Sequence, residues 1–265
     1  MRRMGVAAAV LAVLVAGVAC APKPAPLGPP PSALDLIPQH GELRVCSTGD
    51  YRPFTYRDPA TGRWSGIDID MAGDLAQQLS VRLTMVPTTW ATLVGDLAGG
   101  RCDVAMGGIS VTLDRAKRAT FSDPYLIDGK APITRCADVA RFQTLELIDR
   151  PGVRVVVNPG GTNESFDKAH LTRATIVPHP DNNTIFDEIL QGRADLMITD
   201  ASETRWQAAQ HPELCAVNPD HPFSYSPKAY PLPQDDVVFQ QWVNQWLRLD
   251  LGDGTYQRFS QPWQG

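Results

Sequence analysis

Short apolar runs alternate with amphipathic stretches from Leu43 onward. LRVCST reads as a strand. After the turn residues of GDYRPF, the run IDIDMAGDLAQQLS carries Met71, Leu75 and Leu79 at four-residue intervals, the spacing of one helix face. VRLTMV follows with Val81, Leu83 and Met85 alternating, which predicts a second strand. Leu93, Val94 and Leu97 predict a helix that stops at Gly99 and Gly100, and CDVAMGGIS predicts the next strand. Strands and helices in this order imply parallel pairing, with helices on both faces of a sheet.

The same rhythm restarts at VRVVV, residues 153–157. A Gly-rich turn, a helix, the strand ATIV, a helix with Ile185, Phe186, Ile189 and Leu190 apolar, and the strand ADLMITD follow. The late run DDVVFQQWVNQWLRL places Val238, Phe239, Trp242, Val243 and Trp246 on one stripe and has no strand beside it. It is expected to pack back on another unit. About 230 residues from Ala33 onward exceed the usual single core, and the repeated pattern favours two α/β units.

Residues 1–19, within MRRMGVAAAVLAVLVAGVAC, combine a charged start, an apolar stretch and small residues, the form of an export signal peptide. Gly5 to Ala19 is short for a membrane span, which needs about 20 residues. Residues 20–32 read as a Pro-rich, semi-rigid linker. Cys20, after Gly17, Val18 and Ala19, resembles a lipoprotein cleavage site. Lipidation at Cys20 is the expectation, with ordinary signal-peptidase cleavage the alternative because Gly17 stands where Leu is usual.

The chain carries 24 Lys and Arg against 29 Asp and Glu, a formal charge of −5. Without Arg2 and Arg3 this falls to about −7, which argues against a nucleic-acid partner. A small anionic ligand remains compatible, since a local cationic cleft can outweigh the global charge. Apart from Cys20, the cysteines are Cys46, Cys102, Cys136 and Cys215. An even number in an exported chain predicts disulfides, with three connectivities open. Cys136 with Cys215 is favoured, because both lie in the central segment. No CxxC or HxxxH cluster is present, so no metal site is expected.

Two places invite chemistry. GGTNES puts Gly160, Gly161, Thr162 and Asn163 just before a helix, where free backbone N–H groups suit an anion, although a plain helix cap has the same form. Asp200 ends the strand ADLMIT, at the carboxyl end where open α/β sheets present ligand residues. Glu203 lies three residues on. By local rules D-x-x-E is a helix-capping signature, with the second acid reaching back to the cap.

GIDIDMAGDLA, CDVAMGGISVTLDRAKRATFSDPY and NPGGTNESF resemble the extracytoplasmic solute-binding proteins of the polar-amino-acid type. Within that superfamily the chain resembles the periplasmic cyclohexadienyl dehydratases from Gly41 to Tyr230, on the runs STGDYRPF, DGKAPIT, ARFQTLELID, NPGGTNE, HPDNNTIF, TDASE and HPELCAV. The resemblance implies a two-lobed periplasmic-binding-protein-like α/β fold of type II. Residues 33–131 plus 229–265 would form lobe one and residues 132–228 lobe two, with the ligand cleft between them and a double hinge at the crossings.

The resemblance also implies roles. Arg115 stands where receptors clamp a ligand carboxylate, a task suited to its planar fork, and Ser110 and Thr162 share that carboxylate. Tyr51 and Trp90 match aromatic walls. Asp50 and Lys130 match charged positions of the dehydratase pattern, and Asn163 can both donate to and accept from a hydroxyl. Asp200 matches the acid that holds an amino group. Glu164 also occurs in plain binding members and is read as a partner of the helix dipole. Binding receptors usually carry an apolar or small residue at the Glu203 position, whereas the dehydratases carry glutamate.

The implied activity is decarboxylating dehydration of prephenate, arogenate or both. Glu203 would be the general acid for the leaving hydroxyl, aided by Asn163 and Lys130. No cofactor is expected. The implied partner is a small anionic substrate, in an exported, extracytoplasmic protein held at a membrane surface through Cys20. The alternative is an amino-acid-binding lipoprotein serving an ABC permease, with Glu203 a helix cap.

Overall fold

The computed structural model describes residues 31–263. The expected signal peptide, lipidation at Cys20 and nearly all of the Pro-rich linker lie outside them.

The first lobe is built on a parallel three-stranded sheet, with Glu42–Ser47 between Arg82–Pro87 and Val104–Ala105. Side chains alternate across a strand. Leu43 and Val45 therefore join Met71 and Leu75 of the helix Ile67–Gln78 on one face, while Cys46 meets Leu93 and Leu97 on the other. The late helix Val237–Gly252 closes the first of these cores with Phe239, Val243, Trp246 and Leu247. Val238, expected on that stripe, is instead exposed; the buried face rotates to take in Leu247. Its N-cap Asp236 also binds the Ala33 amide and the Ser32 hydroxyl, each at 2.7 Å, tying the two ends of the lobe together.

The strand expected over CDVAMGGIS shrinks to Val104–Ala105, because the chain turns at Gly107 and Gly108. Their amides donate to the buried Asp68 carboxylate at 3.0 and 2.6 Å, and Tyr125 and Tyr230 donate to the same group. Burial pushes the Asp68 carboxyl up to about 6, against the pull of those four donors. Gly108 has a φ of 67°, and a Cβ there would stand 2.4 Å from the Phe54 ring.

The second lobe is a five-stranded sheet in the order Thr175–Pro178, Arg154–Val157, Leu196–Asp200, Lys130–Arg135, Leu214–Ala216. The first three strands run parallel and the last two antiparallel to their neighbours. Ile133, Val156 and Met197 face the helix Ile185–Leu190, while Val155, Leu196 and Ile198 pack with Phe142 and Ile148. Lys130 and Ala131 pair with Asp200 and Thr199. The second sheet thus begins at Lys130, two residues before the start expected for lobe two at 132, since this pairing runs to the very end of the central strand.

Both disulfides form, Cys46 with Cys102 and Cys136 with Cys215. The chain crosses between lobes twice, and the crossings run side by side: Phe223 donates to the Lys130 carbonyl, Ser226 to Asp128 and Lys228 to Leu126, at 2.7, 2.7 and 2.8 Å. Gly129 makes this closeness feasible, because a Cβ there would sit 1.9 Å from the Ser224 carbonyl oxygen. Gly129→Ala is therefore expected to destabilise the protein by about 1–3 kcal/mol through overpacking. Gly73→Ala, on an exposed helix face with open space around the new methyl, should be neutral or raise stability by up to about 1 kcal/mol. Thermal denaturation of both variants checks the contrast.

Candidate functional site in the cleft between the lobes

Asp200 is the last residue of the central strand of the second sheet, and the helix Ala201–Gln210 starts directly after it. Its side chain makes no capping bond to that helix. One oxygen accepts from Lys130 Nζ at 2.8 Å; the other accepts from Tyr51 Oη at 2.5 Å and from Lys228 Nζ. Lys130 and Lys228 come from the two crossings and Tyr51 from the first lobe, so one carboxylate gathers groups from every part of the cleft. Asp200 and Lys130 are each 2% exposed and Lys228 is 0% exposed. Burial opposes the Asp200 charge, but the two lysines outweigh it and hold the carboxyl below the usual carboxylate range.

A small cavity of about 20 Å³ opens beside this cluster, lined by Tyr51, Trp90, Ser110, Thr162, Asn163 and Asp200 among others. Tyr51 and Trp90 meet edge to face, with ring centroids 5.3 Å apart. Thr162 and Asn163 open the helix Thr162–His170, and both accept from Lys130 Nζ, Thr162 at 3.1 Å. Ser110 Oγ takes Lys228 Nζ at 2.8 Å. Asp50 does not line the cavity; it accepts from Trp90 Nε1 at 3.1 Å, and burial raises its carboxyl. Glu164 stays out of the cavity, accepting from the Gly160 amide and pairing with Lys168, both at 2.7 Å.

Arg115 is not in the inner cavity. It lines the wider outer cleft, donates to the Ser110 carbonyl at 2.8 Å, and stands 5.9 Å above the Trp90 ring. Trp90, Gly161 and Thr162 border both spaces, so the guanidinium sits at the passage from one to the other.

Glu203 is neither a cap nor a lining residue. It is 1% exposed, and its Oε2 accepts from Thr199 Oγ1 at 2.5 Å. Thr199 in turn accepts from Asn163 Nδ2 at 3.0 Å. The acid is therefore one hydrogen-bonded group behind a residue that faces the cavity. Burial is the main force raising its carboxyl to about 8; Asp200 and Asp50 add to it, while Thr199 and Lys130 oppose it.

Three functional-looking residues escape a reading by motif. Lys228 lies in SPKAYPL, where a lysine among prolines and apolar residues is the only sign of a buried charge. Thr199 reads as one more strand residue. Asn182 reaches across the cleft, Nδ2 donating to the Asp50 carbonyl at 2.8 Å, while its Oδ1 is buried without a partner in the cavity wall. Among the described residues no group of three or more His, Cys, Asp or Glu is arranged to hold a metal ion.

Comparison with known proteins agrees with this architecture. Residues 43–265 match the model of the bacterial extracellular solute-binding proteins, family 3. The chain is 53% identical to the cyclohexadienyl dehydratase of Pseudomonas aeruginosa over 88% of its own length and 86% of that protein's. It is 25% identical to the L-cystine-binding protein TcyJ of Escherichia coli over the same shares. Among solved structures, an ancestral amino acid-binding protein that is a precursor of cyclohexadienyl dehydratase superposes with a TM-score of 0.81 at 34% identity, covering 88% of this chain and 100% of that one. An ancestral cyclohexadienyl dehydratase matches with a TM-score of 0.56 at 50% identity, covering 88% and 96%. With its two lobes, double crossing and enclosed cleft, the chain belongs to the bacterial extracellular solute-binding proteins, family 3.

Proposed function

We propose that the chain is a cyclohexadienyl dehydratase, converting prephenate to phenylpyruvate, arogenate to phenylalanine, or both. The observation that carries this reading is Glu203, a fully buried carboxyl that keeps its proton at neutral pH and is linked to the cavity through Thr199 and Asn163. A receptor has no use for a buried acid at that place. The likeness to the Pseudomonas aeruginosa enzyme supports the same conclusion.

In the proposed reaction the bond between the ring and its carboxylate breaks, carbon dioxide leaves, and the electron pair enters the ring. The hydroxyl across the ring departs with its own bonding pair and takes the Glu203 proton, becoming water. The products are an aromatic ring, carbon dioxide, water and a Glu203 carboxylate that regains its proton from solvent. Because the hydroxyl accepts the electrons, no external acceptor enters. A substrate hydroxyl on Asn163 would lie two hydrogen-bonded groups, Asn163 and Thr199, from the acid, so proton transfer requires the hydroxyl to come within direct reach of Glu203 in the closed cleft. Tyr51 and Trp90 would flank the ring, and Arg115, with Ser110 and Thr162, would hold the side-chain carboxylate. Lys130 would face the ring carboxylate, and Asp50 would hold Trp90 in place. Closure of the lobes excludes water and strengthens each of these charge interactions.

The family is one of extracellular proteins, and we assign Cys20 as the point of lipid attachment. Cys20→Ser should move the protein from the membrane fraction to the soluble one, read by fractionation of cells.

Glu203→Gln should lower kcat with prephenate by roughly 10²–10⁴-fold while leaving binding measured by calorimetry within a few-fold. Retained turnover would overturn the mechanism, and tight binding of an amino acid without product would favour the receptor. The working form of Glu203 is protonated, so kcat/KM should fall as pH rises through about 8. Thr199→Val removes a donor that favours the carboxylate and should move that limb to higher pH.

The same group makes a stability prediction. The folded state holds the Glu203 proton up to about 8, and the unfolded chain releases it near the ordinary value of 4.5. Its contribution to stability is full below 4.5 and is lost as pH climbs toward 8. The melting-temperature gain of Glu203→Gln over the parent should therefore be small at pH 5 and grow toward pH 8.

A further inference from the structure

Resting on the dehydratase reading, we propose that Lys228, together with Lys130, sets this cleft for a substrate that carries two carboxylates and no ammonium. The keto diacid prephenate is then preferred over its amino counterpart arogenate.

The acid at the Asp200 position is the group that would hold a ligand's ammonium. In this protein it is already occupied. Its oxygens receive Lys130 Nζ, Lys228 Nζ and Tyr51 Oη, so two built-in cations share one negative charge. A third cation placed there finds no charge to neutralise and two like charges beside it. The lysines cannot retreat to water, because both are at most 2% exposed. Lys228 is further anchored by Ser110 Oγ at 2.8 Å and lies 5.5 Å from the centre of the Tyr51 ring.

The wider set, Lys130, Lys228 and Arg115 against Asp200, Asp50 and Asp128, is balanced. At Asp200 itself two ammonium groups meet one carboxylate, a local surplus of positive charge, and Glu203 keeps its proton and adds no charge. A dianion gains from that surplus, whereas an ammonium on the ligand works against it. Among the described residues, the one buried acceptor left without a partner in the cavity wall is the Asn182 amide oxygen. It is neutral, and a ligand hydroxyl satisfies it as well as an ammonium would.

The test compares kcat/KM for prephenate and arogenate on the purified protein and on Lys228→Met and Lys228→Arg. The parent should favour prephenate at least about tenfold. Lys228→Met should shift the prephenate-to-arogenate ratio by about tenfold or more toward arogenate, chiefly through KM, and Lys228→Arg, which keeps the charge, should retain the preference. Equal kcat/KM values in the parent, or an equal loss on both substrates in Lys228→Met, would overturn the inference and leave the dehydratase reading standing. Turnover of neither substrate by the parent would overturn that reading and the inference with it. Should Lys228→Met fail to fold, the parent's ratio and Lys228→Gln decide.

Discussion

A carboxylate sealed from water stays ionised only where its charge is met, and Asp200 is met by lysines from both interlobe crossings. This pairing organises the cleft. Tyr51 is pulled over from the first lobe, Lys130 aligns Thr162 and Asn163, and Lys228 reaches back to Ser110. Burying three charges is expensive, and such a cluster contributes little net stability compared with apolar packing. Its value lies in geometry, since removing Asp200 leaves two lysines buried and unmatched.

The neighbouring acid shows what the same burial does without a cation in contact. Asp200 and Glu203 are three residues apart and both out of water, yet one is held ionised and the other keeps its proton. Contact decides: Asp200 touches two ammonium groups, and Glu203 touches a hydroxyl. Two carboxyl groups driven in opposite directions are a recurrent means of running acid chemistry near neutral pH.

Much of the fold was legible in the chain, because periodic apolar residues such as Met71 and Leu75, or Ile185 and Ile189, face a core in only one way. Local misreadings came from tertiary demands. Val238 yields its buried place to Leu247, and the CDVAMGGIS strand is cut short where Asp68 needs the Gly107 and Gly108 amides. At the site, Tyr51, Trp90, Ser110, Thr162, Asn163 and Asp200 share one cavity, a grouping that rested on family resemblance. Lys228 was hidden because its role depends on a hinge strand passing behind Asp200, a neighbour 28 residues away. Glu203 illustrates a different limit. D-x-x-E encodes a cap equally well, and only the position of Thr199 turns the side chain away from the helix start.

The two disulfides lie one in each lobe: Cys46–Cys102 staples the first sheet to the loop after the helix Leu93–Ala98, and Cys136–Cys215 ties the end of the strand Lys130–Arg135 to its neighbour Leu214–Ala216. Neither spans the crossings. Covalent reinforcement is thus confined within each lobe, while the joint between them relies on side-by-side backbone hydrogen bonds and a buried ion cluster. Oxidative maturation can harden each lobe against proteolysis outside the cell without stiffening the motion that admits substrate and releases product. Durability and turnover are set by separate parts of the chain.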